Sequence, residues 1–324
     1  MKSGTLRFAL IAAVAVGALQ VPWLVPAITA QVTFLWLMVL FALSWDIMGG
    51  QMGYNSFGNI VFFGVGAYVC AVIQRDTGLT YFPALAAGVA LAALAAVALA
   101  LALGPAILAL RGHYFAIGTL GLGIAFADGA AGWSFIGAGS GMVVPVFPGS
   151  PGTRQMVFYY AMLALALATL LLLRWLYARP FGLALNAIRD DEDKAEALGL
   201  RTTRYKILAW CVSAFFLGMA GALAGNLVGF IDPRELAFAS STFGVWMVVM
   251  AILGGRGTLY GPVIGAVLFH VTQELFWTYL LGWQRVALGM LIVLIVVFFP
   301  DGILGALPAH RREPGHGAAG SLLS

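Results

Sequence analysis

Long runs of apolar residues constrain this chain more than any other feature of its sequence. The runs from Ala84 to Leu103 and from Leu288 to Phe299 contain no charged residue and are apolar on every face. A run of about 20 apolar residues is long enough to cross a bilayer as a helix. A membrane-spanning β-strand would instead alternate polar and apolar residues over about ten positions. The sequence therefore predicts an all-α, polytopic integral membrane protein.

Composition argues against a soluble fold. Of the 324 residues, 62% are hydrophobic and 9% are charged, whereas soluble domains carry about 25% charged residues. We predict about ten transmembrane helices, at residues 8–25, 31–49, 57–74, 81–103, 113–130, 157–177, 207–227, 239–253, 260–280 and 285–300. The first could also be a signal peptide, since Lys2 and Arg7 precede an apolar stretch. We favour a retained helix because the apolar run continues to Val25.

The basic residues set the predicted orientation, because short cytoplasmic loops of membrane proteins are enriched in Lys and Arg. Of the 17 basic residues, those on the predicted outer side are Arg75, Arg154, Arg234 and Arg285. We therefore expect an inner-membrane protein with both termini in the cytoplasm. It would consist of a transmembrane permease domain at residues 1–305 and a disordered cytoplasmic tail at residues 306–324. This bias explains the net charge of +4, so nucleic-acid binding is not predicted.

The predicted cytoplasmic loop at residues 179–206 holds a cluster of acids between Asp190 and Glu196. Pro180 is suited to the first turn of a helix, since its missing N–H would be unpaired there in any case. Asp190 is expected to cap a second short helix, and Gly199 is expected to end it. This charged helix is either a docking element for a soluble partner or an ordinary solvated loop.

Five spaced motifs connect the chain to a known family. They are GQMGYNSFGNIVFFGVGAY (50–68), LRGHYFAIGTLGLG (110–123), AEALG (195–199), GVWMVVMAILGGRGTLYGPVIGA (244–266) and FFPDGILG (298–305). In this order, over residues 40–305, they resemble the permease subunits of branched-chain amino acid ABC importers of the LivM type. Five ordered motifs are far more specific than any one of them alone.

The resemblance implies an ABC importer permease fold and a set of partners. These are a second homologous permease, two cytoplasmic ATPase subunits and an external substrate-binding protein. By resemblance, the residues that couple the permease to the ATPase are Asp193, Ala195, Glu196, Ala197, Leu198 and Gly199. The chain has no G-x-x-x-x-G-K-[ST] phosphate loop. We therefore expect ATP hydrolysis on another subunit, and we expect no enzymatic activity or cofactor in this chain.

A glycine-rich, polar stretch between Gly50 and Tyr68 is unusual for a membrane span. Glycine allows helices to pack closely, and it also allows helix breaks that expose backbone groups to a transport pathway. A broken helix would offer N–H donors to a substrate carboxylate. The candidate pathway residues are Tyr54, Asn55, Ser56, Gly58 and Asn59. The alternative is tight packing in which the Ser and Asn side chains bond to a neighbouring helix.

Two other functions stay open at this point. A proton-coupled secondary transporter would use His270 and Glu274, which lie one helical turn apart in a predicted span. An ABC permease for urea or amides is also consistent, because the chain departs from the family pattern at two places. Gly123-Ile124-Ala125 stands where an acid is common, and Gly139-Ser140-Gly141 stands where Thr-Gly-Gly is usual. The sequence contains no cluster of Cys and His residues that would predict a metal site.

Overall fold

The computed structural model describes residues 17–280, 282–283, 286–290, 293 and 302–305. Residues 17–24 are helical, in agreement with the second half of the first predicted span. The start of that span, most of the last one and the whole predicted tail lie outside the described residues. The described part is predominantly helical, as the apolar runs predict.

Most of the described α-helices follow predicted spans, with ends that differ by up to six residues. The α-helices are α1 (Thr29–Gly49), α2 (Ile60–Asp76), α3 (Tyr81–Ile107), α4 (Gly112–Gly132), α5 (Pro151–Tyr177), α6 (Pro180–Asp190), α7 (Glu192–Ala197), α8 (Thr202–Val228), α9 (Val245–Gly254), α10 (Gly261–Tyr279) and α11 (Gly302–Gly305). Short 3-10 turns lie at Pro26–Ile28, Ser134–Ile136 and Ala138–Ser140. Two π-helical turns, Pro233–Ala237 and Ser240–Gly244, precede α9.

Six helical stretches among the described residues are long and apolar enough to cross a membrane. They are Pro26–Gly49, Tyr81–Ile107, Gly112–Gly132, Pro151–Tyr177, Thr202–Val228 and Pro233–Gly254. Helices α2 and α10 have 17 and 19 residues, so they are about 25–29 Å long against a hydrocarbon core of about 30 Å. The fold is therefore that of a multi-pass membrane protein, and the predicted count of about ten helices is not confirmed.

Glycines bring the central helices α2, α3 and α8 into backbone contact. A Cβ atom added at Gly66 would lie 2.1 Å from the carbonyl oxygen of Gly218, and one at Gly221 would lie 1.9 Å from that of Phe63. Helix α3 approaches α8 in the same way, since a Cβ at Gly218 would lie 2.7 Å from the Ala92 carbonyl oxygen. Small residues permit such close approach between membrane helices. Larger side chains here would push the helices apart.

One end of the bundle, which we call the sheet end, carries a two-stranded sheet that the sequence did not predict. Strand β1 (Met142–Val143) pairs antiparallel with β2 (Phe230–Ile231), with Met142 opposite Ile231. Gly141 precedes β1 with a φ of +74°, and a Cβ there would lie 2.7 Å from the Ile231 carbonyl oxygen. Glycine therefore suits this position both by its backbone conformation and by its size.

The opposite end, which we call the loop end, carries α6 and α7. Helix α6 continues through Asp190, and Asp191 caps α7 by accepting a 3.0 Å hydrogen bond from the Lys194 N–H. The prediction that Asp190 is the cap was wrong by one residue, because Asp191 is the residue with the extended backbone that a cap requires. Gly199 follows α7 with a φ of +90°, which confirms that it ends this helical region.

Candidate functional site

The residues predicted to dock on an ATPase form an exposed tip at the loop end. The exposed members of this set are Asp193, Glu196, Ala197, Leu198 and Gly199. Ala195 is buried, so it fixes the tip to the protein rather than facing a partner. Leu198 is 89% exposed and lies near the exposed, charged Glu196. This combination of an apolar and a charged group suits a docking surface with an apolar centre and a polar rim.

A buried ion pair holds the base of this tip. The Lys206 ammonium lies 2.7 Å from Glu192 Oε1, and the two side chains are only 5% and 11% exposed. The same ammonium donates to the Tyr54 hydroxyl at 3.1 Å and to the Leu108 carbonyl at 2.9 Å. A lysine ammonium has three N–H donors, so all three have acceptors. We call Glu192, Lys206 and Tyr54 the loop latch.

The second oxygen of Glu192 is bound as well. Tyr54 donates its hydroxyl to Glu192 Oε2, and the Arg111 guanidinium lies 3.6 Å from the same oxygen. Arg111 also pairs with Asp193 at 2.7 Å. Burial by itself would raise the pKa of the Glu192 carboxyl, but the hydrogen bonds from Lys206 and Tyr54, with the nearby cationic charge, outweigh it and lower that pKa.

The Tyr54 hydroxyl has the opposite shift. Burial, and then the hydrogen bond and charge of Glu192, raise its pKa above the ordinary value. At neutral pH the latch therefore contains an ionised carboxylate and a protonated phenol, which is the pairing in which Tyr54 donates. The sequence alone indicates no site role for Glu192 or Lys206. The acids and bases of the loop were visible, but nothing local indicates that Tyr54 meets residues roughly 140 positions away.

The predicted pathway residues lie in the irregular segment at residues 50–59 between α1 and α2. Ser56 and Asn59 are fully buried, Tyr54 is buried and Asn55 is exposed. A Cβ added at Gly58 would lie 2.8 Å from the Thr119 carbonyl oxygen. The structure thus brings these residues together in one packed segment near the loop end.

Three helices hold this segment by hydrogen bonds. The Ser56 carbonyl accepts a 2.7 Å bond from Trp45 Nε1 of α1, and the Phe57 N–H donates at 3.1 Å to Thr119 Oγ1 of α4. The Asn59 amide bonds to Ser213 and Trp210 of α8, at 3.1 and 3.2 Å. These are the contacts expected of tight packing.

The Ser56 hydroxyl is the exception, since it has no hydrogen-bond partner in the described part of the protein. The N–H groups of Val61 and Phe62 in the first turn of α2 already donate to the carbonyls of Gly58 and Asn59. A substrate carboxylate would therefore find few free backbone donors at this helix end. Support for a pathway role rests instead on the unpartnered hydroxyl of Ser56.

The loop end contains a second buried acid, which the sequence alone does not mark as a site residue. Asp46, near the end of α1, is 1% exposed and accepts a 2.8 Å hydrogen bond from the Gly257 N–H. A Cβ at Gly50 would lie 1.7 Å from Asp46 Oδ1. Arg189 of α6 donates to the Gly50 carbonyl at 3.4 Å. Asp46 thus joins α1 to the turn between α9 and α10.

The residues of the proton-coupling alternative form no network in the described structure. His270 is buried in α10, and Glu274 is partly buried. Among the described residues, no hydrogen bond or salt bridge links the two side chains. No group of three or more His, Cys, Asp or Glu side chains in this part of the chain could hold a metal ion.

An apolar cavity of about 630 Å³ lies nearer the sheet end, between α2, α4 and the 3-10 turn that follows α4. Its lining residues include Val65, Val72, Phe126, Trp133 and Phe238. None of residues 54–59 belongs to this lining. The cavity and the predicted pathway segment are therefore separate features.

Comparisons with known proteins find relatives over most of the chain. The family model for the branched-chain amino acid transport system / permease component matches residues 27–298. The chain is similar to the high-affinity branched-chain amino acid transport system permease protein LivM of Salmonella typhimurium, with 30% identity over 304 residues. This alignment covers 84% of this chain and 68% of that protein. The LivM protein of Escherichia coli is 28% identical over 316 residues, or 87% and 71% of the two chains.

The LivH permease protein of the Salmonella typhimurium high-affinity branched-chain amino acid transport system is also similar. It is 31% identical over 160 residues, which is 49% of this chain and 50% of that protein. No solved structure matches the chain.

Proposed function

We propose that this chain, which belongs to the permease component family of branched-chain amino acid transport systems, is the membrane-spanning subunit of an ATP-driven importer for branched-chain or related hydrophobic amino acids. Members of this family are transport permeases rather than enzymes, and the ATPase of these ABC systems is a separate subunit. The observation that carries the proposal is the exposed tip at residues 193–199, mounted on a buried ion pair at one end of a helical membrane bundle.

The proposed assembly contains this chain, a second homologous permease, two cytoplasmic ATPase subunits and an external binding protein. The similarity to both LivM and LivH supports a paired permease. In this proposal the transmembrane domain at residues 1–305 has about ten helices, both termini and the coupling loop at residues 179–206 face the cytoplasm, and residues 306–324 form a tail.

The geometry of the tip supports a coupling role. Glu196, Ala197 and Leu198 are exposed, while Ala195 and Glu192 fix the helix from below. An ATPase that closes on ATP would press on this tip. The permease would then switch between outward-facing and inward-facing states, so that substrate delivered from outside is released inside.

We further propose that residues 54–59 border the pathway and that the substrate carries a carboxylate. The buried and unpartnered hydroxyl of Ser56 supports a polar contact, and Phe57 and Phe62 nearby suit an aliphatic side chain. The packing alternative has its own support in the hydrogen bonds of Asn59. Ser56→Ala separates the two, because it removes one hydroxyl and almost no volume.

Uptake into vesicles that contain the purified transporter and its binding protein tests the proposed function. Leucine uptake should require ATP on the side of the loop end and should survive collapse of the proton gradient. Uptake that proceeds without ATP and stops when the gradient collapses would overturn the proposal in favour of secondary transport. Preference for urea or amides over leucine would retain the ATP-driven mechanism and correct the substrate.

A further inference from the structure

The Tyr54 side chain connects two parts of the protein that the proposed function leaves separate. Its hydroxyl bonds to Glu192 of α7 and to Lys206 of α8, while its backbone begins the segment at residues 54–59. We propose that the loop latch transmits movement of the coupling tip to the membrane helices through this segment. This inference rests on the proposed function, since it assumes an ATPase that moves the tip.

The tip and Glu192, the acidic residue of the latch, belong to one short element of the chain. Helix α7 has six residues, with Glu192 in its first turn and the exposed residues 196–199 in and beyond its last turn. The Asp191 side chain caps the start of the helix by accepting a hydrogen bond from the Lys194 N–H. A push on Leu198 therefore displaces Glu192 as well.

The environment of Glu192 makes this displacement hard to absorb locally. The carboxylate and the Lys206 ammonium are almost fully buried and face each other at 2.7 Å. Charge-assisted hydrogen bonds are roughly twice as strong as neutral ones, and separating a buried pair leaves each charge without compensation. Tyr54 and Lys206 should therefore move with Glu192, and their hydrogen bonds to its carboxylate should remain intact.

From Tyr54 the movement can reach three helices. Two residues along the chain, the Ser56 carbonyl is bonded to Trp45 of α1. The Phe57 N–H is bonded to Thr119 of α4, and Asn59 is bonded to α8. Because all these contacts lie within six consecutive residues, a displaced Tyr54 acts on α1, α4 and α8 together.

Lys206 provides a second, more direct connection. It belongs to the first turns of α8 and donates to the Leu108 carbonyl just after α3. This connection carries force to α3 and α8 and bypasses residues 54–59. Tyr54→Phe therefore isolates the proposed route, since it removes the hydroxyl contacts of the segment and leaves the Glu192–Lys206 pair in place.

The matched control is Tyr81→Phe. Tyr81 begins α3 toward the sheet end, and its partly buried hydroxyl donates to Asn226 at 2.9 Å. Both substitutions remove one partly buried phenol hydroxyl from a tyrosine, but only Tyr54 contacts the latch. A role in packing alone predicts similar effects for the two variants.

The test measures substrate molecules imported per ATP hydrolysed by purified, reconstituted complexes of wild type, Tyr54→Phe and Tyr81→Phe. The ratio does not depend on the yield of each complex. We expect it to fall roughly tenfold for Tyr54→Phe, the effect of losing a hydrogen bond to a charged group, and to stay at the wild-type value for Tyr81→Phe. An unchanged ratio for Tyr54→Phe, or equal losses in both variants, would overturn the inference. Failure of the wild-type complex to show ATP-driven uptake would instead refute the proposed function.

Discussion

Replacing Lys206 by methionine tests how much the loop latch contributes to the stability of the fold. The substitution keeps the apolar stem and removes the ammonium, which leaves the 11%-exposed Glu192 carboxylate without its closest cation. Breaking a buried ion pair by removing one partner costs about 3–5 kcal/mol. Arg111 remains 3.6 Å from Glu192 Oε2 and partly compensates its charge. We therefore expect the unfolding free energy to fall by about 3 kcal/mol, the lower end of this range.

A double-mutant cycle with Glu192→Gln measures the interaction free energy of the Glu192–Lys206 pair separately from the contribution of each side chain. The combination of Glu192→Gln and Lys206→Met leaves no buried charge unpaired, so its destabilisation should be smaller than the sum of the single effects, by about 1–3 kcal/mol. The measurement is reversible unfolding of the purified chain in mixed micelles. The control is Lys194→Met, which breaks an exposed ion pair on the same helix and should change stability little. Additive effects, or a Lys206→Met variant as mild as the control, would refute the reasoning.

Four further results are expected. The pKa of Glu192 lies below its ordinary value of 4.5, so its contribution to stability is complete above that pH and is lost as the pH falls through the lowered pKa. The stability gap between wild type and Lys206→Met should therefore narrow on acidification below pH 4.5, and a gap that widens would contradict this. The cysteine of Asp193→Cys should not be labelled by an impermeant thiol reagent added to intact cells, and labelling from outside would contradict the proposed orientation. Glu196→Ala should abolish coupled uptake and weaken ATPase association while the binding protein still binds its ligand; uptake at the full rate would remove Glu196 from the docking site. Ser56→Ala should alter apparent substrate affinity at normal protein levels, and unchanged transport of every amino acid and amide tried would leave the segment a packing element.

Apolar runs were enough to predict a helical membrane protein and to locate several of its helices, because a bilayer requires long continuous stretches of apolar residues. The predicted span at residues 81–103 corresponds to α3 (Tyr81–Ile107), and that at residues 207–227 corresponds to α8 (Thr202–Val228). Hydropathy is less informative where the backbone leaves the α-helix. The span predicted at residues 239–253 becomes regular α-helix only at Val245, after a π-helical turn at Ser240–Gly244.

The contacts that make the candidate site could not be predicted in the same way. Tyr54 bonds to Glu192 across 138 positions, and Asp46 bonds to Gly257 across 211. Such pairs depend on how distant helices pack, which involves glycines far apart in the chain, such as Gly66 and Gly218, rather than the sequence around either partner. The exposed tip was predictable because Gly199 and the acids before it mark a short capped helix locally.

Cross-linking at Leu198 tests the central claim, that the loop tip is the docking site for the ATPase, most directly. Leu198 is 89% exposed at the loop end, and Val146 is 88% exposed in the loop that carries β1, at the sheet end. Leu198→Cys and Val146→Cys, each in a complex assembled in membranes, would be labelled with a short thiol-reactive photo-cross-linker, irradiated and analysed by mass spectrometry. The account predicts a cross-link between position 198 and the ATPase subunit, and none from position 146. A cross-link to the ATPase from position 146, with none from position 198, would contradict it.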